Sequence, residues 1–249
     1  MSDNPVAIVV AAGGGIGGAC TRELAHRGYN LVLMSAGGSA VKLAKELGCT
    51  AVTGSLAEAS DLKTVVDTAL EKHGSIDAVI NNTGHVTKGA GAARGPVYDP
   101  DDASHFIEIS DADWHHALDM SVLNVIRMAR LVTPVMERQG GGAIVNISSF
   151  AAKEPSGKYP VGAALRMALA GVMKLYSDRY ARAGIRMNNV LPGFVDNHEM
   201  SDAVRRQVPM SRTCSSDELA KTVAFLLSAD AGYITGQSIV VDGGLTRGI

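Results

Sequence analysis

Aromatic side chains are scarce: four Phe, six Tyr and one Trp make up 4% of the 249 residues. Since 46% of the chain is hydrophobic, its core has to be aliphatic and alanine-rich. An excess of either charge is missing too, with 23 Lys and Arg against 25 Asp and Glu, so no basic field exists to hold nucleic acid. No apolar run is long enough to span a bilayer, and the opening MSDNPV lacks a cationic and then apolar leader. Cys20, Cys49 and Cys214 are odd in number and far apart, which suits free thiols in a reducing compartment better than a disulfide framework. No Cys/His set has metal-ligand spacing. His115 and His116 are adjacent, and on a helix they point apart. The expectation is a cytoplasmic protein without metal, nucleic acid or membrane partners, its residues 1–249 forming one domain.

What is present is organised around Val6 to Ala19, VAIVVAAGGGIGGA. Val6 to Val10 are uniformly apolar, as in a strand buried on both faces. The glycines at 13, 14, 15, 17 and 18 precede a helix-like run from Ala19 to Arg27. Strand, glycine turn and helix in that order leave bare N–H groups at a helix N-terminus, where the dipole favours an anion. Glycine is required because a Cβ would hold the phosphates of a dinucleotide away from those donors.

The rest of the chain alternates. Strands are expected at Asn30–Met34, Thr50–Thr53, Ile76–Ile80, Gly142–Ile147, Arg186–Leu191 and Ser238–Val241. Helices are expected at Ala40–Leu47, Ala59–His73, Asp113–Arg138 and Val161–Ala183, with capping boxes predicted at Ser110/Asp113 and Ser215/Glu218. Alternation of this kind implies right-handed crossovers and a parallel α/β sheet, with ligands at the carboxyl ends of its strands. Ser35 ends the second strand where an acidic residue would grip the adenosine ribose, so the choice between NAD and NADP is not legible there. His85 to Asp113 and Phe194 to Thr213 are expected to form the substrate rim, without a recognisable signature for a small-molecule substrate.

The chain resembles the short-chain dehydrogenase/reductase family. The matching residues are Gly15-Ile-Gly17, Asn81-Asn-Thr-Gly84, Trp114, Ile144 to Ser149, Gly184 to Asn188, Pro192-Gly193, Tyr233 to Gly236 and Val241 to Gly244. The resemblance implies a Rossmann-like doubly wound parallel sheet in three layers, a nicotinamide cofactor (NAD or NADP) and a homo-tetramer or dimer. It also implies dinucleotide contacts at Ala11, Gly13, Gly15, Ile16, Gly17, Ser35, Ser55, Asn82, Gly84, Pro192, Gly193 and Val195.

The family's Asn–Ser–Tyr–Lys set is incomplete. Ser149 is present, but the Asn position holds Ser121, the Tyr position Gly162 and the Lys position Arg166. In the family, Tyr gives a proton to the substrate oxygen and Lys⁺ lowers the pKa of that Tyr. Glycine has no proton to give, and Arg166 supplies a fixed charge instead of a relay. Arg166 is expected either at an anion or reaching for water or a carboxylate. Three readings follow. A reductase would use a relocated donor, Tyr159 or His85. A non-catalytic member would bind a nucleotide or metabolite, or serve in assembly. A dehalogenase of the halohydrin type would use Arg166, although those relatives keep the Tyr and lack the glycine turn.

Overall fold

The computed structural model describes residues 4–82, 108–156, 159–196 and 201–248. The uniformly apolar Val6–Val10 is β1, buried along its whole length because it lies between two layers of helix. Its side chains alternate. Ala7 and Val9 enter one core, while Val6, Ile8 and Val10 enter the other. Around it run β2 (Asn30–Ser35), β3 (Thr50–Thr53), β4 (Ala78–Asn82), β5 (Gly142–Ile147), β6 (Ile185–Pro192) and β7 (Ser238–Val241). The order is β3-β2-β1-β4-β5-β6-β7, with every pairing parallel. This is the Rossmann-like doubly wound sheet, and its switch point lies between β1 and β4.

Among the described residues, the helices that precede β5 are α1 (Gly15–His26), α2 (Ser39–Leu47), α3 (Ala59–His73), α4 (Asp111–Leu118) and α5 (Asn124–Gln139). After it come α6 (Pro160–Tyr180), the short α7 (Asp202–Arg205) and α8 (Ser216–Leu227). The first core packs Leu24 of α1, Leu43 of α2 and Val223 of α8 on one face of the sheet. The second packs Leu62 of α3, Met136 of α5 and Met173 of α6 on the other. A third cluster, with Val122, Val125, Val161 and Leu165, joins the start of α5 to that of α6.

The expected elements need four corrections, the first being that α1 begins at Gly15, inside the glycine run, and not at Ala19. The helix expected at Asp113–Arg138 is two helices, because a π turn, Asp119–Leu123, separates α4 from α5. Asp119, at the start of that turn, is held by Arg127 Nη2 at 2.6 Å. The fourth strand lies two residues later than expected, at Ala78–Asn82. Asp77 anchors its entry, accepting from Val6 N at 2.7 Å and donating its own amide to Val6 O. The helix expected to reach Ala183 ends at Tyr180, its last turn tightening into a 3₁₀ form. Of the two capping boxes, Ser215/Glu218 is complete. At Ser110 the hydroxyl accepts from Asp113 N and donates to the Asp113 carboxylate, so the helix is capped without the reciprocal bond.

Candidate active site

The carboxyl ends of β1, β4, β5 and β6 meet on one edge of the sheet. After β1 the chain turns through Ala11, whose φ of +52° lies in the left-handed region that favours glycine. Ala12 N then bonds Met34 O at 3.1 Å, and Gly15, at φ +50°, opens α1. Helix α1 has no side-chain cap and no acidic residue in its first turn, so its leading amides keep their positive character. A Cβ on Gly17 would stand 2.2 Å from Ala11 O and 2.7 Å from Asn82 Nδ2. Asn82 in turn donates to Ala11 O at 3.1 Å, tying the turn to β4. Ile16 packs into the core behind. The turn has the compact shape that a pyrophosphate needs.

The adenosine side is self-bonded. Ser35 Oγ donates to Gly37 O at 2.7 Å and accepts from Ala40 N, capping the entry to α2. A Cβ on Gly13 would collide with Ser39 Oγ at 1.8 Å, so this glycine makes room for the loop after β2. Ser55 N bonds Asp61 Oδ2, and Ser55 Oγ accepts from Ala57 N. Gly84 and His85 lie outside the described residues.

On the catalytic side, Ser149 follows β5 and caps a 3₁₀ turn, Phe150–Ala152, accepting from Ala151 N at 3.2 Å. Phe150 meets Phe194 edge to face, linking the loops after β5 and β6. Pro192 ends β6, and Gly193 N bonds Val241 O, where a Cβ would lie 2.8 Å from Asp242 Cα. Val195 is buried in the core and bridges to Cys214. Tyr159 precedes α6 and is 55% exposed.

Gly162 and Arg166 lie one turn apart on α6. Among the described residues, a Cβ on Gly162 would have only Arg166 Nη1 within 4 Å, at 3.8 Å. The guanidinium therefore folds back along the helix toward the place from which a tyrosine would project. Burial pulls its pKa below the ordinary arginine value.

Ser121, already singled out in the sequence, and two buried polar side chains that sequence reasoning missed, Asn124 and Ser148, lie on the neighbouring elements. Ser121 Oγ in the π turn, Asn124 Nδ2 at the start of α5 and Ser148 Oγ have no hydrogen-bond partner among the described residues. The π turn itself was the missing signal, since such bulges mark functional positions. A second missed feature is a row of amides through the sheet. Asn81 Nδ2 donates to Asn146 Oδ1 and Asn146 Nδ2 to Asn189 Oδ1, each at 2.9 Å, and Asn189 Nδ2 reaches Ser238 Oγ. Asparagines inside otherwise apolar strands were its signal.

Among the described residues there is no His/Cys/Asp/Glu cluster able to hold a metal, and no helix is long and apolar enough to cross a membrane. The cysteines are free, and burial pushes the Cys20 thiol up to about 12. A groove of about 520 Å³ runs between α5 and α6, past Thr133, Leu175 and Tyr176. It lies away from the strand ends.

A fold and a glycine turn of this kind define a class, and comparison with known proteins agrees. The family model described as enoyl-(acyl carrier protein) reductase matches residues 10–246. Human dehydrogenase/reductase SDR family member 4 is 30% identical over 256 aligned positions, which cover 97% of this chain and 87% of the relative. The 3-oxoacyl-[acyl-carrier-protein] reductase FabG of Staphylococcus epidermidis is 29% identical, across 97% of this chain and 99% of its own. The structure of L-sorbose reductase from Gluconobacter frateurii, complexed with NADPH and L-sorbose, superposes with a TM-score of 0.84. That match has 25% identity and covers 99% of this chain and 98% of the other. The chain belongs to the short-chain dehydrogenase/reductase family.

Proposed function

We propose that this protein is a nicotinamide-dependent oxidoreductase that interconverts a carbonyl and an alcohol on a small molecule, with a proton donor other than the family's tyrosine. The turn after β1 carries this reading: Gly17 lets it close against Ala11 O and Asn82, and the uncapped amides of α1 stand at its end, as a dinucleotide's pyrophosphate requires. The amides that open α1 would hold the pyrophosphate, and Gly193 with Val195 would border the nicotinamide. The bound nicotinamide supplies or takes up the hydride. Ser149 orients the carbonyl, and Arg166 stabilises negative charge there without releasing a proton. Tyr159, three residues before the tyrosine's position, and His85 are the candidate donors. The similarity to two reductases, FabG and L-sorbose reductase, supports the same chemistry.

The test is thermal unfolding with NADH and NADPH, followed by oxidation of either with a panel of carbonyl compounds. A raised melting temperature and turnover are expected, and Tyr159→Phe or His85→Ala should abolish the turnover. No stabilisation by either dinucleotide would sink the proposal. Stabilisation without turnover supports a second reading, a binding protein of this fold, which the open position at Gly162 favours. The homo-oligomer contact is assigned to α6, whose residues Ala164, Met167, Ala168, Gly171 and Leu175 form one exposed apolar stripe beside the groove.

A further inference from the structure

Loops leave the carboxyl ends of β5, β6 and β7, and the residues after β7 bond to both of the others. Val241 O accepts from Gly193 N at 3.0 Å, and Gly243 O accepts from Met210 N at 3.2 Å. Two glycines in the left-handed region, Gly243 at φ +66° and Gly244 at φ +84°, then turn the chain. They also let it lie flat on the rim. A Cβ on Gly243 would stand 2.8 Å from Val208 Cγ1, and one on Gly244 3.2 Å from Pro209 Cγ. Val208 is buried although its own segment is irregular. Asp242 locks the turn, its carboxylate accepting from Gly244 N at 2.9 Å and Thr246 N at 2.7 Å.

The same segment then reaches the loop after β5. There Glu154 Oε1 accepts from the amides of both Arg247 and Gly248. Glu154 ends the turn that Ser149 opens: Ala152 N donates to Ser149 O, and the amides of Lys153 and Glu154 both donate to Phe150 O. Phe150 closes the circuit, its ring meeting Phe194 of the loop after β6 at 5.7 Å. A 3₁₀ turn of three residues is a weak element by itself, so whatever grips its far end fixes where it stands. A carboxylate that takes two amides grips with charge-assisted bonds, roughly twice as strong as neutral ones.

We infer that residues 242–248 form a strap across the carboxyl ends of β5 and β6, latched by Glu154, and that the latch fixes the turn from which Ser149 acts. Glu154 is then a positioning residue, working through the turn and not on the substrate. The role of Ser149 rests on the oxidoreductase reading above; the strap does not.

The experiment is hydrogen exchange on the full chain, followed over segments 150–153 and 244–248, in wild type and in Glu154→Ala, Glu154→Gln and Arg247→Pro. In Glu154→Ala both segments should exchange at least about tenfold faster. Gln keeps a carbonyl acceptor without the charge and should lie between. Arg247→Pro removes one donor, leaves the carboxylate, and should quicken segment 150–153 in the same direction. Oxidation of NADH or NADPH by the carbonyl panel adds a chemical readout. There kcat should fall about tenfold in Glu154→Ala and recover in part in Glu154→Gln, with the KM for the dinucleotide unchanged. Melting curves identify a variant that fails to fold, and the others then decide. No faster exchange, faster exchange confined to segment 244–248, or an unchanged kcat in folded Glu154→Ala overturns the inference and leaves the oxidoreductase reading standing. If the wild type turns over no carbonyl compound, that reading fails, and exchange in segment 150–153 alone decides the strap.

Discussion

Gly17 and Gly162 belong to two halves of one sheet edge, and they are glycine for different reasons. At Gly17 the backbone of Ala11 and the side chain of Asn82 fill the space that a Cβ would take, at 2.2 and 2.7 Å. At Gly162, among the described residues, that space is clear to 3.8 Å, where only the end of a flexible side chain stands. The first glycine is demanded by packing, the second is a side chain left out. The dinucleotide half has kept its shape even at Ala11, which holds a backbone conformation suited to glycine at a cost of about 1 kcal/mol. In the other half, α6 keeps Gly162 and Arg166 one turn apart and is tied to β6 by Ser177.

The largest effect should therefore come from Gly17→Ala. The new methyl would meet a carbonyl oxygen and an amide held by β1 and β4, neither free to withdraw. A loss of about 3 kcal/mol is expected. Urea denaturation would measure it, and thermal shift would show loss of dinucleotide stabilisation in the same variant. A Gly17→Ala protein as stable as wild type would break the comparison at its stronger end.

Next in size is a change that lies between the halves. Asn146 accepts from Asn81 of β4 and donates to Asn189 of β6, all three buried. Asn146→Ala leaves a donor on one side and an acceptor on the other, each deprived of water. The expected loss is about 2 kcal/mol by urea denaturation. If the amides serve to join the two edges, hydrogen exchange should also quicken in both β4 and β6. Faster exchange in β5 alone would make Asn146 a local core residue and separate the halves.

The sheet was readable because β1 is apolar on both faces and because Ser215 with Glu218 marks a helix start that the structure reproduces in full. The π turn was not readable. It adds one residue to a helical period, and Ala117, Val122 and Val125 remain compatible with an unbroken helix on either count. The fourth strand is harder to bound, because Ile76 is apolar but lies before it, whereas the paired residues include Asn81 and Asn82, which composition alone assigns to a loop. In the site, Gly162 and Arg166 could be singled out by counting along the chain from the serine pair. That Ser35 would spend its hydroxyl on its own loop could not, since the partners, Gly37 O and Ala40 N, are backbone atoms.

The smallest effect is the one that tests the comparison most directly. Gly162 lies inside the first turn of α6, where glycine costs conformational entropy and, with open space beside it, gains nothing from packing. Gly162→Ala should stabilise the protein by about 0.5–1 kcal/mol, the opposite sign to the same exchange at Gly17. The methyl would lie in ordinary contact with Arg166 Nη1, so dinucleotide binding should be unchanged. A rise in melting temperature with intact dinucleotide affinity would establish that the catalytic half lacks a side chain it has room for. A fall would mean that the guanidinium is wedged against the helix backbone, making the gap a packed contact and the two glycines alike.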